Sequence, residues 1–366
     1  MRTQRKSLQS SCFSRTAVGT ALVLIALAIS VFFYRSISNK GQPPLPGTPT
    51  SNWFSVYFTD PAGTAAKSLR GGPDAHLAAA INAAKLSVDI AAYELDLYSV
   101  RDALIDAHRR GVTVRFVTDS DNIEKHEVQD LKDAGIPVLG DRHEGLMHDK
   151  FVVIDRLEVW SGSMNYTIND AYKNNNNLIR IRSPHLAEDY TAEFEEMFIN
   201  DQFGPDSPAN TPYPSLSVEG TPIEVYFSPD DNVAAHLIDL IQRARQSIHF
   251  LAFSFTSDDL ADAMMERARA GVAVSGIFEE DQVSSNQGDE YNRLLNSGLD
   301  VRLDGNPRNM HHKVMIIDEQ IVVTGSYNFS SSAEEKNDEN VLVIYNPEIT
   351  RRFEEEFDDQ LLKSQK

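Results

Sequence analysis

The second half of this chain repeats the first, and this repeat constrains the fold more than any other sequence feature. The stretch 87–93 (SVDIAAY) aligns with 247–253 (SIHFLAF) at a spacing of 160 residues. Farther along the chain the spacing becomes 163 and the match becomes stronger. A repeat on this scale indicates two copies of one structural unit.

The strongest match is a set of polar residues at fixed positions. Each copy reads His-x-Lys, then Asp, then Gly-Ser-x-Asn. The first copy contains His148, Lys150, Asp155, Ser163 and Asn165, and the second contains His311, Lys313, Asp318, Ser326 and Asn328.

Each half alternates between predicted strands and helices. Strands are expected at 86–93, 112–118, 248–255 and 272–278, helices at about 100–110 and 258–270, and acidic helices at 187–199 and 348–362. Apolar periodicity, with Gly after the first helix of each half, supports these boundaries. The alternation predicts an α/β sandwich with a parallel or mixed sheet in each half.

The chain divides into six predicted segments. These are a basic N-terminal segment (1–16), a transmembrane anchor (17–34), a Pro/Gly-rich tether (35–52), a first half (53–200), a linker (201–222) and a second half (223–366).

Residues 17–34 carry no charge and are just long enough to span a bilayer as a helix. Four basic residues precede them and two follow, which favours a single-pass protein with its N-terminus inside and its body on the periplasmic or extracellular side. The alternative is a signal peptide cleaved near Ala26, Ala28 or Ser30, which would release a secreted body.

The charge distribution bears on the substrate. The formal net charge is −20, although residues 1–40 contain six basic residues and no acid. The rest of the chain is therefore strongly acidic, which disfavours a polyanion but leaves a local basic cleft open. The single cysteine, Cys12, excludes a disulfide within the chain and a cysteine-based metal cluster. No His/Asp spacing supports a metal site, and no cofactor is expected.

The repeated residues suit phosphoryl chemistry. Alternation along a strand places His148 and Lys150 on the same face, and a hairpin returns Ser163 and Asn165 beside them. An imidazole, an ammonium, a hydroxyl and an amide can hold phosphoryl oxygens and supply one nucleophilic or proton-transfer step. One half lacks a second such group, which the other half would supply.

The pattern H-x-K-x4-D-x6-G-S-x-N, present twice, resembles the HKD signature of the phospholipase D superfamily, and the resemblance covers residues 55–360. It implies two tandem phospholipase D-like α/β/α halves related by pseudo-twofold symmetry and a metal-independent, two-step displacement. His148 would form a phosphohistidine and His311 would be the general acid/base. The phosphate would be held by Lys150, Lys313, Asn165, Asn328, Ser163 and Ser326. Asp155 and Asp318 are expected to be turn and network residues.

One asymmetry distinguishes the two halves. Relatives place an acidic residue shortly after the motif, and here Glu339 corresponds to Asn176. A carboxylate partner favours a protonated imidazole, as a general acid needs, whereas an amide orients a neutral nucleophile. This supports His148 as nucleophile, although the sequence does not say which histidine each group contacts.

Three functions remain open at this stage. The first is a membrane-anchored phospholipase D that hydrolyses or transfers the headgroup of glycerophospholipids, with the membrane as substrate and anchor. The second is a nuclease of the same superfamily, which the compact halves without long inserted loops favour. The third is a non-catalytic interaction protein on an HKD scaffold, which would need neither histidine.

Overall fold

The computed structural model describes residues 53–365. The predicted anchor and tether therefore lie outside the described residues. Over residues 53–365, no helix combines the length and the apolar character needed to cross a bilayer.

Fifteen strands are present in this range. They are β1 (Phe54–Phe58), β2 (Ser87–Ala92), β3 (Thr113–Thr118), β4 (Val138–Gly140), β5 (Lys150–Ile154), β6 (Glu158–Gly162), β7 (Asn177–Arg182), β8 (Ser215–Val218), β9 (Thr221–Ser228), β10 (Ser247–Ala252), β11 (Ala273–Phe278), β12 (Asp300–Leu303), β13 (Lys313–Ile317), β14 (Ile321–Gly325) and β15 (Glu339–Ile344).

The helices alternate with these strands. They are α1 (Thr64–Ser68), α2 (Pro73–Ala83), α3 (Tyr98–Arg109), α4 (His126–Asp133), α5 (Ile168–Tyr172), α6 (Pro184–Asn200), α7 (Val233–Arg243), α8 (Asp258–Arg269), α9 (Glu280–Ser285), α10 (Tyr291–Asn296), α11 (Ser331–Glu335) and α12 (Pro347–Lys363).

The strands form two mixed sheets with the same internal order. The first runs β1-β7-β6-β5-β2-β3-β4, and the second runs β8-β9-β15-β14-β13-β10-β11-β12. In the first sheet, β2, β3 and β4 are parallel and the other pairs are antiparallel. The predicted mixed α/β fold with one sheet per repeat is confirmed, whereas the pseudo-twofold relation stays a prediction.

The two sheets share a central core. The long helices α6 and α12 contribute Tyr190, Phe194, Phe353 and Phe357 to this core, where they meet apolar residues of both sheets. Two further clusters lie on the other faces of the sheets, where α2 and α3 cover the first and α7 and α8 cover the second. Because helices cover both faces, strands such as β5 are buried along their whole length.

The long helices extend beyond their predicted limits at the N-terminal end because of capping residues. Ser183 accepts a hydrogen bond from the Leu186 N–H ahead of α6, and Asn346 accepts from Glu348 and Ile349 ahead of α12. A proline occupies the first helical position in both, where its missing N–H costs nothing.

The segment 201–222, predicted as a linker, is partly built into the second sheet. Strand β8 pairs antiparallel with β9, and Val218 is buried in the shared core. Prolines at 212 and 214 lie just before β8, whereas Pro222 lies within β9 opposite Ser217 and gives the ladder no N–H at that position.

Candidate active site

Two crossed contacts between the halves assemble the site. The His148 N–H donates to the Asp338 carbonyl (3.0 Å), and the His311 N–H donates to the Asn175 carbonyl (2.8 Å). The start of β5 is thus joined to the loop before β15, and the start of β13 is joined to the loop before β7. Residues 339 and 176 are therefore delivered to the opposite histidine.

Glu339 contacts His148. Its Oε2 lies 2.7 Å from His148 Nδ1, and both side chains are buried. Burial, with the Lys150 and Lys313 ammonium groups, lowers the pKa of His148 well below its ordinary value. Burial also raises the pKa of Glu339 to about 7, opposed by the two lysines. A neutral His148 donating Nδ1–H to the carboxylate leaves the Nε2 lone pair free.

Asn176 contacts His311. Its Oδ1 lies 2.9 Å from His311 Nδ1, so an amide oxygen accepts the ring proton. Burial, followed by Lys313 and Lys150, lowers the pKa of His311 well below its ordinary value. The charge of His148 contributes to lowering the pKa of His311 in the same direction.

A second carboxylate lies behind His311, and sequence reasoning missed it. Asp170 Oδ2 is 3.8 Å from His311 Nδ1 and accepts the Asn165 N–H at 2.9 Å. Asp170 is buried, and burial raises its pKa. Its equivalent at a spacing of 163 is Ala333. Asn176 and Asp170 in the first half therefore correspond to Glu339 and Ala333 in the second, so each half has one carboxylate at a different one of these two positions. That difference was visible in the aligned repeats.

The two lysines provide the positive charge. Lys150 Nζ donates to the His148 carbonyl, and Lys313 Nζ donates to the His311 carbonyl at 2.9 Å. Burial lowers the pKa of Lys150 to about 8, and burial together with Lys150 lowers that of Lys313. Within residues 53–365, no group of three or more His, Cys, Asp or Glu side chains is arranged to hold a metal ion.

Aromatic residues line both motifs. The Tyr93 ring meets His148 edge-on at 5.1 Å between centroids, and the Phe253 ring meets His311 at 4.4 Å. Lys150 and Lys313 lie over the same two rings. Both aromatics end the first repeated stretch, which is the signal that could have identified them. These rings limit water at the site and so strengthen its electrostatic interactions.

The serines and asparagines of the motifs differ in their freedom to bind a substrate. Ser163 Oγ donates its only proton to Asn176 Oδ1 (2.9 Å). The Ser326 hydroxyl donates a hydrogen bond to the Glu339 carboxylate and accepts one from the Asn340 N–H at 3.0 Å. Both serines therefore support Asn176 and Glu339, and their contact with a phosphate stays a prediction. Asn165 and Asn328 each keep a buried Oδ1 without a partner among the described residues, but this oxygen only accepts hydrogen bonds, so a phosphoryl oxygen would have to be held by the amide Nδ2 of each residue.

Asp155 and Asp318 lie at the hairpin turns, away from the histidines. Both have left-handed backbone conformations, with φ of 54° and 53°. The Asp155 carboxylate accepts N–H groups from Lys85, Leu86 and Ser87, and Asp318 makes the equivalent three bonds at 245–247. They join each motif hairpin to the neighbouring strand.

His312 faces away from the site. It is fully buried, with Nδ1 3.1 Å from Asn177 Nδ2 and Nε2 3.2 Å from Glu356 Oε1. Its equivalent, Asp149, accepts from Asn340 Nδ2 in the matching way. The middle residue of each His-x-Lys triplet therefore belongs to the interface between the halves.

Fold and site together define a phospholipase D-like centre, in which two His-x-Lys motifs converge from two similar sheets. Residues 77–198 and 237–361 match the family described as the cardiolipin synthase, PLD-like domain. The chain belongs to this family and to the phospholipase D superfamily.

Named relatives agree with this placement. A mitochondrial cardiolipin hydrolase of Chlamydomonas reinhardtii is 32% identical over 132 residues, which is 36% of this chain and 59% of the relative. A phospholipase D of Rickettsia felis is 35% identical over 131 residues, 36% of this chain and 65% of the relative. The chain thus spans less than two-thirds of the length of these curated relatives.

A solved structure shows the same fold over a longer stretch. Phosphatidylserine synthase of Haemophilus influenzae superposes with a TM-score of 0.62, covering 84% of this chain and 85% of that protein. The sequence identity is 14%, so the likeness concerns the fold alone.

Proposed function

We propose that this protein is a phosphodiesterase of the phospholipase D type that hydrolyses or transfers the headgroup of glycerophospholipids. The observation that carries the proposal is the buried cluster of His148, His311, Lys150 and Lys313, assembled from both halves. Burying two ammonium groups and two imidazoles costs stability, and an anionic substrate would offset that cost.

The proposed first step is attack of His148 Nε2 on phosphorus. A P–N bond forms, and the bond from phosphorus to the headgroup oxygen breaks. Because the Nδ1–H of His311 is held by Asn176, His311 must enter this step as the imidazolium, and its Nε2–H passes to the departing alcohol. Lys150, Lys313, Asn165 and Asn328 would hold the phosphoryl oxygens, where one donor is worth about 3 kcal/mol in the transition state. In the second step His311 takes a proton from water or an alcohol, which attacks phosphorus and frees His148.

Glu339 supports His148 as the nucleophile for a different reason than the sequence suggested. The sequence argument linked a carboxylate partner with the proton-transferring histidine but left the contacts open, and Glu339 lies against His148. A carboxylate that holds Nδ1–H aims the Nε2 lone pair and balances the positive charge that the ring gains on attack. His311, held by an amide and with a lowered pKa, gives up a proton readily.

The lipid substrate is supported by the names of the relatives and by the acidic surface. Excess acid over base disfavours a long polyanion, because nucleic-acid binding depends on phosphate neutralisation. Cleavage of DNA or RNA is the second candidate. It is favoured by the short connections of the first half, where one sheet and its helices are completed between Phe54 and Asn200.

The test compares both substrates with one protein. The full chain is assayed on phosphatidylcholine or phosphatidylglycerol vesicles and, in parallel, on single-stranded DNA, with His148→Ala as control. Headgroup release that is lost in the control supports the proposal. Rapid DNA cleavage without headgroup release, also lost in the control, would transfer the proposal to nucleic acid.

A further inference from the structure

A cavity of about 460 Å³ lies beside the second motif and has an unusual lining. Four lining side chains are basic, Lys67, Lys173, Arg308 and Lys363, and none is acidic. The chain as a whole has 54 acidic and 34 basic residues. The cavity is therefore a local exception to a negatively charged surface.

Three of these cations lack a carboxylate partner. Lys67 and Arg308 form no ion pair among the described residues, and Lys173 Nζ donates only to the neutral Asn169 Oδ1 (2.9 Å). Lys363 alone contacts an acid, Asp359, on its own helix. Like charges around one cavity repel each other, and a bound anion would relieve that repulsion.

Part of the cavity lining, called the apolar floor below, is formed by carbon-rich residues. These are Pro61, Ala66, Tyr172 and Pro307, and more of the cavity surface is carbon than polar atoms. A small inorganic anion would gain nothing from this floor, whereas the glycerol and first methylenes of a lipid would bury apolar surface on it. The lining thus fits an amphiphile with an anionic group.

The cavity adjoins the loop that holds His311. Asn175 lines it, and the Asn175 carbonyl accepts the His311 N–H at 2.8 Å. Asn306, another lining residue, donates to Asn175 Oδ1 at 2.6 Å. A ligand here would therefore lie one residue from Asn176, the partner of His311.

The equivalent place beside the first motif is closely packed by backbone. Helix α1, which carries Lys67, has no counterpart between β9 and α7. Gly145 corresponds to Arg308, and a Cβ at Gly145 would lie 2.0 Å from the Lys336 carbonyl oxygen. Gly204 also packs there and donates its N–H to Asp338. The cavity is thus an addition to the repeated fold rather than a consequence of it.

We propose that this cavity binds the phosphate and adjoining apolar part of an anionic phospholipid. The inference rests on the proposed function, because it makes the catalytic site and the cavity two contacts with lipid. Lys67, Lys173 and Arg308 pair with the phosphate oxygens, and the apolar floor covers the glycerol end of the lipid.

The test measures binding rather than turnover. The full chain carrying His148→Ala is titrated in non-ionic detergent with dihexanoyl-phosphatidylglycerol by calorimetry. Adding Lys67→Ala and Arg308→Ala is expected to weaken binding by ~10-fold, because two charge-assisted contacts are lost. The matched control adds Lys85→Ala and Arg269→Ala, two cations away from the cavity, and is expected to change binding less than 2-fold.

Three results would overturn the inference. The first is equal weakening of lipid binding in the cavity variant and the control variant. The second is inorganic phosphate binding as tightly as the lipid. The third is a cavity variant that loses more affinity for a thymidine oligonucleotide than for the lipid. If the wild-type chain cleaves no phospholipid but the cavity variant still loses lipid binding, the proposed function fails and the binding site stands.

Discussion

Glu339 Oε2 lies 2.7 Å from His148 Nδ1, although the two residues belong to different halves of the chain. The carboxylate of the second repeat therefore serves the histidine of the first. Neither half provides both a motif histidine and its Nδ1 partner, since each histidine takes that partner from the other half.

Replacing this carboxylate should impair the chemical step. Glu339→Gln keeps the shape but removes the charge that orients His148 and balances the cation formed on attack. We expect kcat to fall by about 10²–10⁴-fold with little change in KM. Steady-state kinetics on phospholipid check this, with circular dichroism as the control for folding. An unchanged kcat would show that Glu339 only supports the fold.

Asn176 and Asp170 of the first half correspond to Glu339 and Ala333 of the second, and this correspondence predicts that a second substitution can restore activity lost by the first. Asp170→Ala should lower kcat by about 10–100-fold, because the buried charge near His311 is lost. Adding Asn176→Glu reproduces the arrangement around His148 and should restore kcat to within ~10-fold of wild type. The pH–rate profiles of the three proteins are measured, and Asp170→Ala should lower the pKa assigned to His311. Additive losses in the double variant would contradict a shared role.

The pKa of Lys150 is expected to set the alkaline limit of activity. Burial lowers its pKa to about 8, and only the ammonium form can stabilise a phosphoryl oxygen. Activity should therefore fall as pH rises through about 8, well before an exposed lysine would lose its proton. A kcat/KM profile from pH 5 to 10 measures the limit. A plateau extending to pH 10 would exclude this role for Lys150.

Three carboxylates with raised pKa values, one next to His148 and two on α6, predict how stability depends on pH. Burial raises the pKa of Asp149 and Asp189 to about 7 and that of Glu196 to about 8. Their unfolded pKa values are about 4, so between pH 4 and 8 the folded state binds more protons. The free energy of unfolding should fall as pH rises through this window. Urea denaturation at several pH values checks this, and Glu196→Gln should flatten the dependence.

Replacing Asp155 is expected to lower the stability of the fold without lowering the catalytic rate. Its carboxylate accepts three backbone N–H groups, and its left-handed backbone disfavours a β-carbon without a polar group. Asp155→Ala should lower the free energy of unfolding by ~2–4 kcal/mol, and Asp155→Asn by less. Activity per folded molecule should stay within ~3-fold of wild type. A large drop in kcat in the folded fraction would give Asp155 a catalytic role.

The sequence predicted the elements of the fold well because the pattern in one half could be checked against the other. Helix ends were less predictable, since Ser183 and Asn346 cap α6 and α12 by side-chain contacts that apolar periodicity does not reveal. The strand at Ser215–Val218 was missed because prolines nearby indicated a linker.

The sequence could predict the site residues but not their pairing. Glu339 and Asn176 were identified, yet their partners depend on how loops 191 and 135 residues away in the chain meet across the interface. Such contacts are set by docking of the halves, not by local pattern. Asp170 was missed because it lies outside the recognised pattern; the aligned repeats show only that it aligns with Ala333, and its position next to His311 comes from the structure.

The identity of the covalent adduct tests the central claim most directly. His311→Ala removes both the proton donor of the first step and the base of the second. Formation of the intermediate is slower in this variant, but the intermediate that forms is not turned over and should be trapped on His148. After incubation with phosphatidylglycerol and rapid quenching, peptide mass spectrometry is expected to find a phosphatidyl group on His148. A phosphatidyl adduct on His311 in the wild-type chain, with none on His148 in either protein, would contradict the account.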